Sequence, residues 1–239
     1  MEKLIFSEQT EWKKKFLNGN GRRIFNFVNS HDVYHFVKTP LFKEAILKKN
    51  NVNFLDGGIV SFFFSIKNFK VISRLSGPDF TNLFFENINL SNKEKHFFIG
   101  LEQKELLLMI EKFPHLKISN LFQYNPLYID GINFPEKEIE KMAKIINSKK
   151  INFVWVGLGC PKQNVLSDEL FKKTRARYFF NIGAGLDFVI GKKNRAPKFF
   201  RWTGLEWAYR LITDFNHSKN KVWRSFMGTF YIPFYSKLK

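Results

Sequence analysis

The chain has 239 residues, 44% of them hydrophobic and 25% charged, and a formal net charge of +18. Such a length suits one generous α/β domain, or a domain with an appendage, and the composition excludes a disordered chain. The single cysteine, Cys160, excludes an internal disulfide and fits a reducing compartment, while the charge calls for an anionic partner: nucleic acid, anionic lipid or a phosphorylated substrate.

Residues 1–21 read as an exposed, charged helix running into an Asn-Gly-Asn-Gly turn, with no apolar core of a signal peptide in residues 1–15. No apolar run approaches the roughly 18 residues needed to span a bilayer. Residues 24–28 read as the first core strand, with polar Asn29-Ser30-His31-Asp32 at its end. A helix is expected over 32–49, interrupted at Thr39-Pro40. A short strand at 52–55 ends in Asp56-Gly57-Gly58, followed by apolar 59–64 and 69–72. Asp79 is placed to cap a helix running to Glu86. Strands are expected at 96–100 and 116–122, helices at 101–113 and 135–148, and a loop at 124–134. The 30 phenylalanines are read as codon usage before function.

Residues 153–156 and 178–182 are apolar runs that each end in a Gly-x-Gly turn, and Pro161 stands where a helix running to Lys173 begins. Strand, glycine turn, helix, strand, glycine turn is the grammar of a parallel sheet whose ligand lies at the carboxyl ends of the strands. Gly157 and Gly159 allow close approach of the backbone, the helix start offers amides to an anion, and Lys162 and Gln163 add a cation and an amide. The dinucleotide fingerprint fails, because Lys162 occupies the place of its third glycine, and no GK[ST] phosphate loop follows. On the turn alone, an ordinary strand-to-helix connection is the better reading.

Charge is concentrated at the end of the chain. Residues 192–239 carry eleven Lys or Arg against Glu206 and Asp214, interleaved with Trp202, Trp207, Trp223, Phe226, Phe230, Tyr231, Phe234 and Tyr235. That pattern suits a helix at an anionic membrane surface, and also a nucleic-acid groove with stacking platforms. In 202–211 part of the aromatic content is expected in a core; in 223–235 the membrane reading leads.

Taken together, Gly-Leu-Gly-Cys-Pro-Lys-Gln, Gly-Ala-Gly-Leu-Asp-Phe, Arg-Ala-Pro-Lys and Gly-Leu-Glu-Trp-Ala-Tyr-Arg-Leu, in that order within residues 157–211, resemble the WecG/TagA/CpsF family of bacterial glycosyltransferases. The resemblance extends more loosely back to about Ile24. It implies a single Rossmann-like α/β domain with a mainly parallel sheet over 1–191 and a basic, aromatic, membrane-associating helical appendage over 192–239. The implied activity is inverting transfer of a hexose or N-acetylhexosamine, from a UDP-sugar to a polyprenyl-diphosphate-linked acceptor for cell-surface polysaccharide, by a peripheral enzyme on the cytoplasmic face of the membrane. The sugar is left open among N-acetylmannosamine, its uronic acid and glucose, and oligomeric state is likewise open, a homo-oligomer being admitted.

By the same resemblance Asp56 matches the aspartate of a Pro-Asp-Gly motif proposed as the base, with Leu55 in place of the proline. Its place at the end of an apolar strand, partly desolvated, suits a general base, but without the resemblance an Asp-Gly turn residue is the better reading. Arg74 and Gly77, in Arg-Leu-Ser-Gly-Pro-Asp, match Arg-Val-Thr-Gly-Pro-Asp, where a guanidinium can clamp the diphosphate or the sugar, the alternative being a surface salt bridge to Asp79. Asn29 matches an asparagine facing the donor, Gln163 the glutamine of Gly-x-Gly-Ala-Pro-Lys-Gln, and Asp187 an aspartate near the uracil. Tyr124 is a further candidate to close the pocket, and Arg195 and Arg210 complete the diphosphate site from the appendage. Relatives commonly carry Ala where Cys160 stands, against a catalytic thiol. No Asp-x-Asp occurs, and His31 and His35 at helical spacing lack a zincin pattern, so transfer without a metal or other cofactor is expected. The alternative is a basic nucleic-acid-binding module without turnover, for which the glycine turns and Asp56 have no use; no nucleic-acid partner is expected on the main reading.

Overall fold

A computed structural model describes residues 2–7, 9, 21–87, 94–194, 196, 197, 200, 209 and 215–238, the side chains of 215–219 excepted. It is an α/β fold with a mostly parallel sheet and alternating helices, ending in a helical segment. The strands are β1 (Leu4–Phe6), β2 (Arg23–Val28), β3 (Asn51–Leu55), β4 (His96–Ile99), β5 (Leu121–Tyr124), β6 (Phe153–Val156), β7 (Tyr178–Asn181) and β8 (Ser236–Leu238). The helices are α1 (Ser30–Lys38), α2 (Pro40–Ile46), α3 (Gly58–Lys67), α4 (Gly77–Glu86), α5 (Gln103–Lys112), α6 (Glu136–Ser148), α7 (Lys162–Lys173), α8 (Gly185–Val189) and α9 (Phe215–Tyr235). The main sheet has the order β3-β2-β7-β6-β4-β5.

The chain divides into two compact units. One comprises residues 20–26 and 77–193; the other comprises 1–19, 27–76 and 194–239, so the C-terminal segment groups with the β3 region. β2 supplies its first four residues to the former and its last two to the latter.

In the unit of residues 20–26 and 77–193, β2, β7, β6, β4 and β5 pair in parallel. Their period-two alternation builds two different layers. Ile24, Phe97, Ile99, Val154, Val156 and Phe179 point to one face, where Ile139, Met142 and Ile146 of α6 and Leu166 and Leu170 of α7 cover them. On the other face the rings of Phe25, His96, Phe98, Phe153, Trp155, Tyr178 and Phe180 meet Phe80, Phe84 and Phe85 of α4, with Trp155 and Phe180 centroids 4.4 Å apart. The phenylalanine excess therefore has a structural use: it forms one wall of the core. The buried indole N–H of Trp155 donates to His96 Nδ1 at 3.1 Å, which satisfies the donor and fixes the imidazole tautomer.

In the other unit, β3 lies beside the end of β2, where the Asp56 N–H donates to the Val28 carbonyl at 2.8 Å. β1 and β8 form a two-stranded parallel ribbon, and the Ser7 N–H donates to the Asn53 carbonyl at 2.7 Å. Here an expectation is corrected: within 1–21, residues 4–6 are a strand, not an exposed helix, and Leu4 and Phe6 are buried. Their partners lie at the other end of the chain, beyond any local pattern. Residues 8 and 10–20 lie outside the described set.

Two smaller corrections concern boundaries. The strand expected at 116–122 is β5 at Leu121–Tyr124, preceded by a 3-10 turn at Ile118–Asn120. The helix expected to be capped at Asp79 begins at Gly77, with Asp79 in its first turn. Helix α9 packs along α1 at Gly228, where a Cβ would stand 1.8 Å from the Ser30 carbonyl oxygen, so only a glycine permits this crossing. Among the described residues no helix is long and apolar enough to cross a membrane.

Candidate functional site

Most of the described candidate residues lie at or soon after the carboxyl end of a strand, in one or the other of the two units. In the unit containing β3, Asp56 follows the last residue of the strand and is half-buried, its backbone held by Val28. Gly57 follows, packed against Asn29, whose Cβ would be 3.2 Å from a Cβ on the glycine. Asn29 caps α1: its Oδ1 accepts the His31 N–H at 2.9 Å, and its own N–H donates to the Asp32 carboxylate at 2.9 Å. That reciprocal cap fixes the side-chain oxygen and leaves the carboxamide nitrogen outside the cap. The chain returns to the same strand end when the Leu75 N–H donates to the Leu55 carbonyl at 2.8 Å, which brings the backbone of Arg74 alongside. Arg74 is half-buried and makes no ion pair among the described residues. Asp56 after β3, Asn29 after the neighbouring β2 and the backbone of the Arg74 segment thus lie at adjoining strand ends.

The second group, in the other unit, is built on the two glycine turns. Gln163 is its centre. It is buried at the start of α7, its Oε1 accepts the N–H groups of Gly159 at 3.1 Å and Gly183 at 3.0 Å, and its Nε2 donates to the Asn181 carbonyl at 3.3 Å. One carboxamide therefore staples the turn after β6 to the turn after β7. Gly77 adds a third segment: a Cβ there would lie 2.8 Å from the Ile182 carbonyl oxygen, so any larger residue forces α4 off the second turn. Gly157 sits beside these, its N–H bonded to the Ile99 carbonyl at 2.9 Å.

The helix start of α7 differs from expectation. The Gln163 N–H is bonded to the Gly159 carbonyl at 3.0 Å and the Asn164 N–H to the Pro161 carbonyl at 3.2 Å, and Pro161 has no amide, so the turn closes on itself and two of the expected anion-binding amides are already used. The ammonium of Lys162 donates to the Ile129 carbonyl and lies 4.9 Å from the Tyr128 ring, tying the 124–134 loop to the helix. Asp187, on α8, is ion-paired with Lys193 at 2.6 Å. Tyr124 ends β5 at the sheet edge, its hydroxyl bonded to the Glu138 carboxylate at 2.5 Å; burial and that carboxylate push its pKa up to about 12. Arg195 and Arg210 lie outside the described residues.

Comparison with known proteins gives these placements a context. The profile of the glycosyl transferase WecG/TagA/CpsF family matches residues 1–235. The chain belongs to this family. Among curated relatives it is similar to an N-acetylglucosaminyldiphosphoundecaprenol N-acetyl-beta-D-mannosaminyltransferase of Staphylococcus aureus strain MRSA252, at 27% identity over 129 residues, 52% of this chain and 46% of the relative. The protein of the same name from S. aureus strain NCTC 8325 / PS 47 is 29% identical over 131 residues, with the same shares covered. The chain thus spans about half the length of the curated relatives it matches.

In this WecG/TagA/CpsF member, sequence reasoning missed a buried polar layer beneath the second glycine turn. Asn26 Oδ1 accepts from Asn164 Nδ2 at 2.9 Å and from Asn181 Nδ2 at 2.7 Å, and the Ser167 hydroxyl donates to Asn181 Oδ1 at 2.5 Å. These bonds fix the face of α7 that carries Gln163 to β2 and β7. The available signal was an asparagine inside each of two otherwise apolar strands, since a polar group there has to be matched by another. The pair His31 and His35, noted in the sequence for its helical spacing, is buried, with rings 4.7 Å apart. Burial, then the nearby cations Lys221 and Arg224 of α9 and the second imidazole, push His31 down to about 2; burial and Arg224 push His35 down to about 4.

Proposed function

We propose that the chain is an inverting glycosyltransferase that moves N-acetylmannosamine, or a related sugar such as its uronate or glucose, from a UDP-sugar to a polyprenyl-diphosphate-linked sugar. The setting is bacterial cell-surface polysaccharide synthesis on the cytoplasmic face of the membrane, with the protein bound peripherally. The observation that carries this reading is the position of Asp56: in a member of a glycosyltransferase family, it stands at a strand's carboxyl end, next to two glycines, Asn29 and the returning Arg74 segment. The printed activity of the S. aureus relatives favours N-acetylmannosamine and an N-acetylglucosaminyl-diphosphate lipid among the alternatives.

In the reaction, the acceptor hydroxyl loses its proton to the Asp56 carboxylate as its oxygen bonds to the anomeric carbon of the donor. The bond from that carbon to the diphosphate oxygen breaks on the opposite face, and UDP leaves with the electron pair. Inversion follows from this single displacement. Arg74 offsets charge on the departing diphosphate, as a bidentate donor can, and Arg195 and Arg210 are assigned the same task. Asn29 holds the donor through its amide nitrogen. Gly77, Gly157, Gly159 and Asp187 receive the nucleotide, with Gln163 and Lys162 shaping the turns. No metal is assigned a role, since the sequence has no Asp-x-Asp clasp and supplies guanidinium groups in its place. The stripe of Trp223, Phe226, Phe230 and Phe234, exposed along one side of α9 among basic residues, supports attachment to an anionic membrane surface.

The test is incubation of the purified chain with a panel of UDP-sugars and a short-chain lipid acceptor, with and without chelator. Transfer by the parent, insensitive to chelation, and a loss of at least about 100-fold in kcat for Asp56→Asn with donor affinity retained, is the expected result. Transfer by Asp56→Asn at the parental rate removes the base, and dependence on added Mg²⁺ or Mn²⁺ removes metal-free catalysis.

A further inference from the structure

Between Asp56 and Leu75 the chain leaves the sheet edge along α3 and comes back to the same strand end, where Leu75 bonds to Leu55. The excursion is unusual in composition. Residues 57–78 contain no Asp or Glu and carry Lys67, Lys70 and Arg74. Helix α3 is apolar nearly all round, yet only Val60 and Phe64 are buried. Phe62 and Ile66, one turn apart, are exposed, and beyond the helix Phe69 is 97% and Val71 92% exposed. A helix that is apolar on every side belongs in a core or in lipid, and a soluble surface does not leave such a tip uncovered.

The tip is also built to stay outward. Phe69 holds φ at 51°, in the left-handed region that a bulky side chain rarely enters. It is kept there by bonds back to α3: the Phe69 N–H to the Ile66 carbonyl at 3.2 Å, the Lys70 N–H to the Ser65 carbonyl at 3.2 Å, and the Ile72 N–H to the Ser65 hydroxyl at 2.9 Å, while the Ser61 hydroxyl donates to the Ile72 carbonyl. Strain of this kind persists only where the surroundings impose it, and here it presents a phenylalanine to the outside.

We propose that residues 62–71 are a membrane-insertion finger: Phe62, Ile66, Phe69 and Val71 enter the interface of an anionic bilayer while Lys67 and Lys70 bind its headgroups. The charge selects this occupant, since an apolar tip whose own segment carries only cations matches acyl chains below anionic headgroups. The compact unit that holds α3 also holds α9, which touches α3 and carries its own exposed aromatic stripe among basic residues. Resting on the transferase reading above, the finger has a second consequence. Helix α3, ten residues and so about 15 Å long, joins the turn after Asp56 to the tip, so insertion holds the base near a diphosphate at headgroup level.

The test uses the 239-residue chain and no sugar. Vesicles of phosphatidylcholine with 30% phosphatidylglycerol (about 30 mol%, enough to set an anionic surface) are sedimented with the parent and with a Phe69→Glu/Val71→Glu double variant. A drop of about tenfold or more in vesicle partition at unchanged melting temperature is expected; parental partition overturns the proposal. In a Cys160→Ala background, Phe69→Cys carrying an environment-sensitive fluorophore should blue-shift on vesicles and be quenched by a quencher attached to the acyl chains. An unshifted, unquenched probe overturns it, as does a double variant that changes oligomeric state in lipid-free solution while binding vesicles like the parent, because the patch is then a protein contact. Neither arm contains a donor, so insertion and glycosyl transfer fail or stand separately.

Discussion

Substituting Gln163 tests whether the glycine turns are held from within. Gln163→Met keeps the volume and removes three bonds, leaving the Gly159 and Gly183 N–H groups and the Asn181 carbonyl without their partner. A backbone group stranded away from water costs about 1–3 kcal/mol. The two turn amides are partly buried and water can reach them, so they count at the low end, while the Asn181 bond is buried and counts higher; the sum is about 3–5 kcal/mol, a large share of a typical 5–15 kcal/mol. Gln163→Glu separates the bonds by chemistry. Its carboxylate still accepts both amides, but its second oxygen meets the Asn181 carbonyl unless it carries a proton. Burial raises the pKa of such a carboxyl above its unfolded value, so its stabilising neutral form is present at low pH and is lost as pH rises through the folded pKa. Urea unfolding at pH 5 and pH 8 is therefore expected to show Gln163→Met equally weakened at both, and Gln163→Glu closer to the parent at pH 5 than at pH 8. Contributions from the rest of the chain cancel in differences taken at one pH. If Gln163→Met lies within about 1 kcal/mol of the parent, or Gln163→Glu has no pH trend, the staple is not what holds these turns.

Gly228→Ala places a methyl where the Ser30 carbonyl oxygen already stands, and since neither partner is a flexible side chain, α9 has to move off α1; a loss of about 1–3 kcal/mol or more and faster proteolysis near α9 are expected, and a parental melting curve refutes the close crossing. The depressed pKa values of His31 and His35 mean that the unfolded chain binds more protons than the folded one below the ordinary histidine pKa of about 6.5. Stability is then complete above that value and falls with pH: from pH 7 to pH 5 the His31 contribution falls by about 2 kcal/mol, with His35 adding in the same direction, and urea midpoints that stay flat over this window exclude the buried, neutral pair.

The parts of the fold that were legible share a physical cause. β4, β6 and β7 are four-residue runs buried on both faces, bounded by glycine or polar turns, and a strand inside a parallel sheet reads as an unbroken apolar run because both of its faces are covered. β1 was illegible because three residues cannot display an alternation, and its ladder partner Ser236–Leu238 is at the opposite end of the chain. β5 was misplaced because Leu116 is apolar and buried but belongs to the approach to the 3-10 turn. At the site, the local features survived: Asp56 after a strand, glycines at two turns, Asn29 at the end of the first core strand. What the sequence left hidden was how side chains are already engaged. Gln163 and Lys162 read as groups offered to a ligand, whereas long-range bonds to Gly183 and Ile129 occupy them, and no spacing rule reveals a partner 20 or 33 residues away.

The way α9 is attached determines what its charge is for. Lys221 and Arg224 lower the His31 pKa and Arg224 that of His35, so these cations of α9 oppose positive charge on the two imidazoles of α1. Contact between the helices includes the close backbone approach at Gly228, the Tyr34 and Tyr231 rings stacked 6.4 Å apart, and Lys38 Nζ at 5.9 Å from the Tyr231 ring. Salt acts weakly on such a contact and strongly on attraction between exposed cations and an anionic surface, because the screening length falls from about 10 Å at 0.1 M to about 3 Å at 1 M. Raising the salt from about 0.1 M to 1 M should therefore leave the melting temperature and the protease resistance of α9 nearly unchanged while sharply lowering partition onto anionic vesicles. Release of α9 by salt without lipid present would mean that charge holds the helix after all, and that its basic residues are not reserved for the membrane.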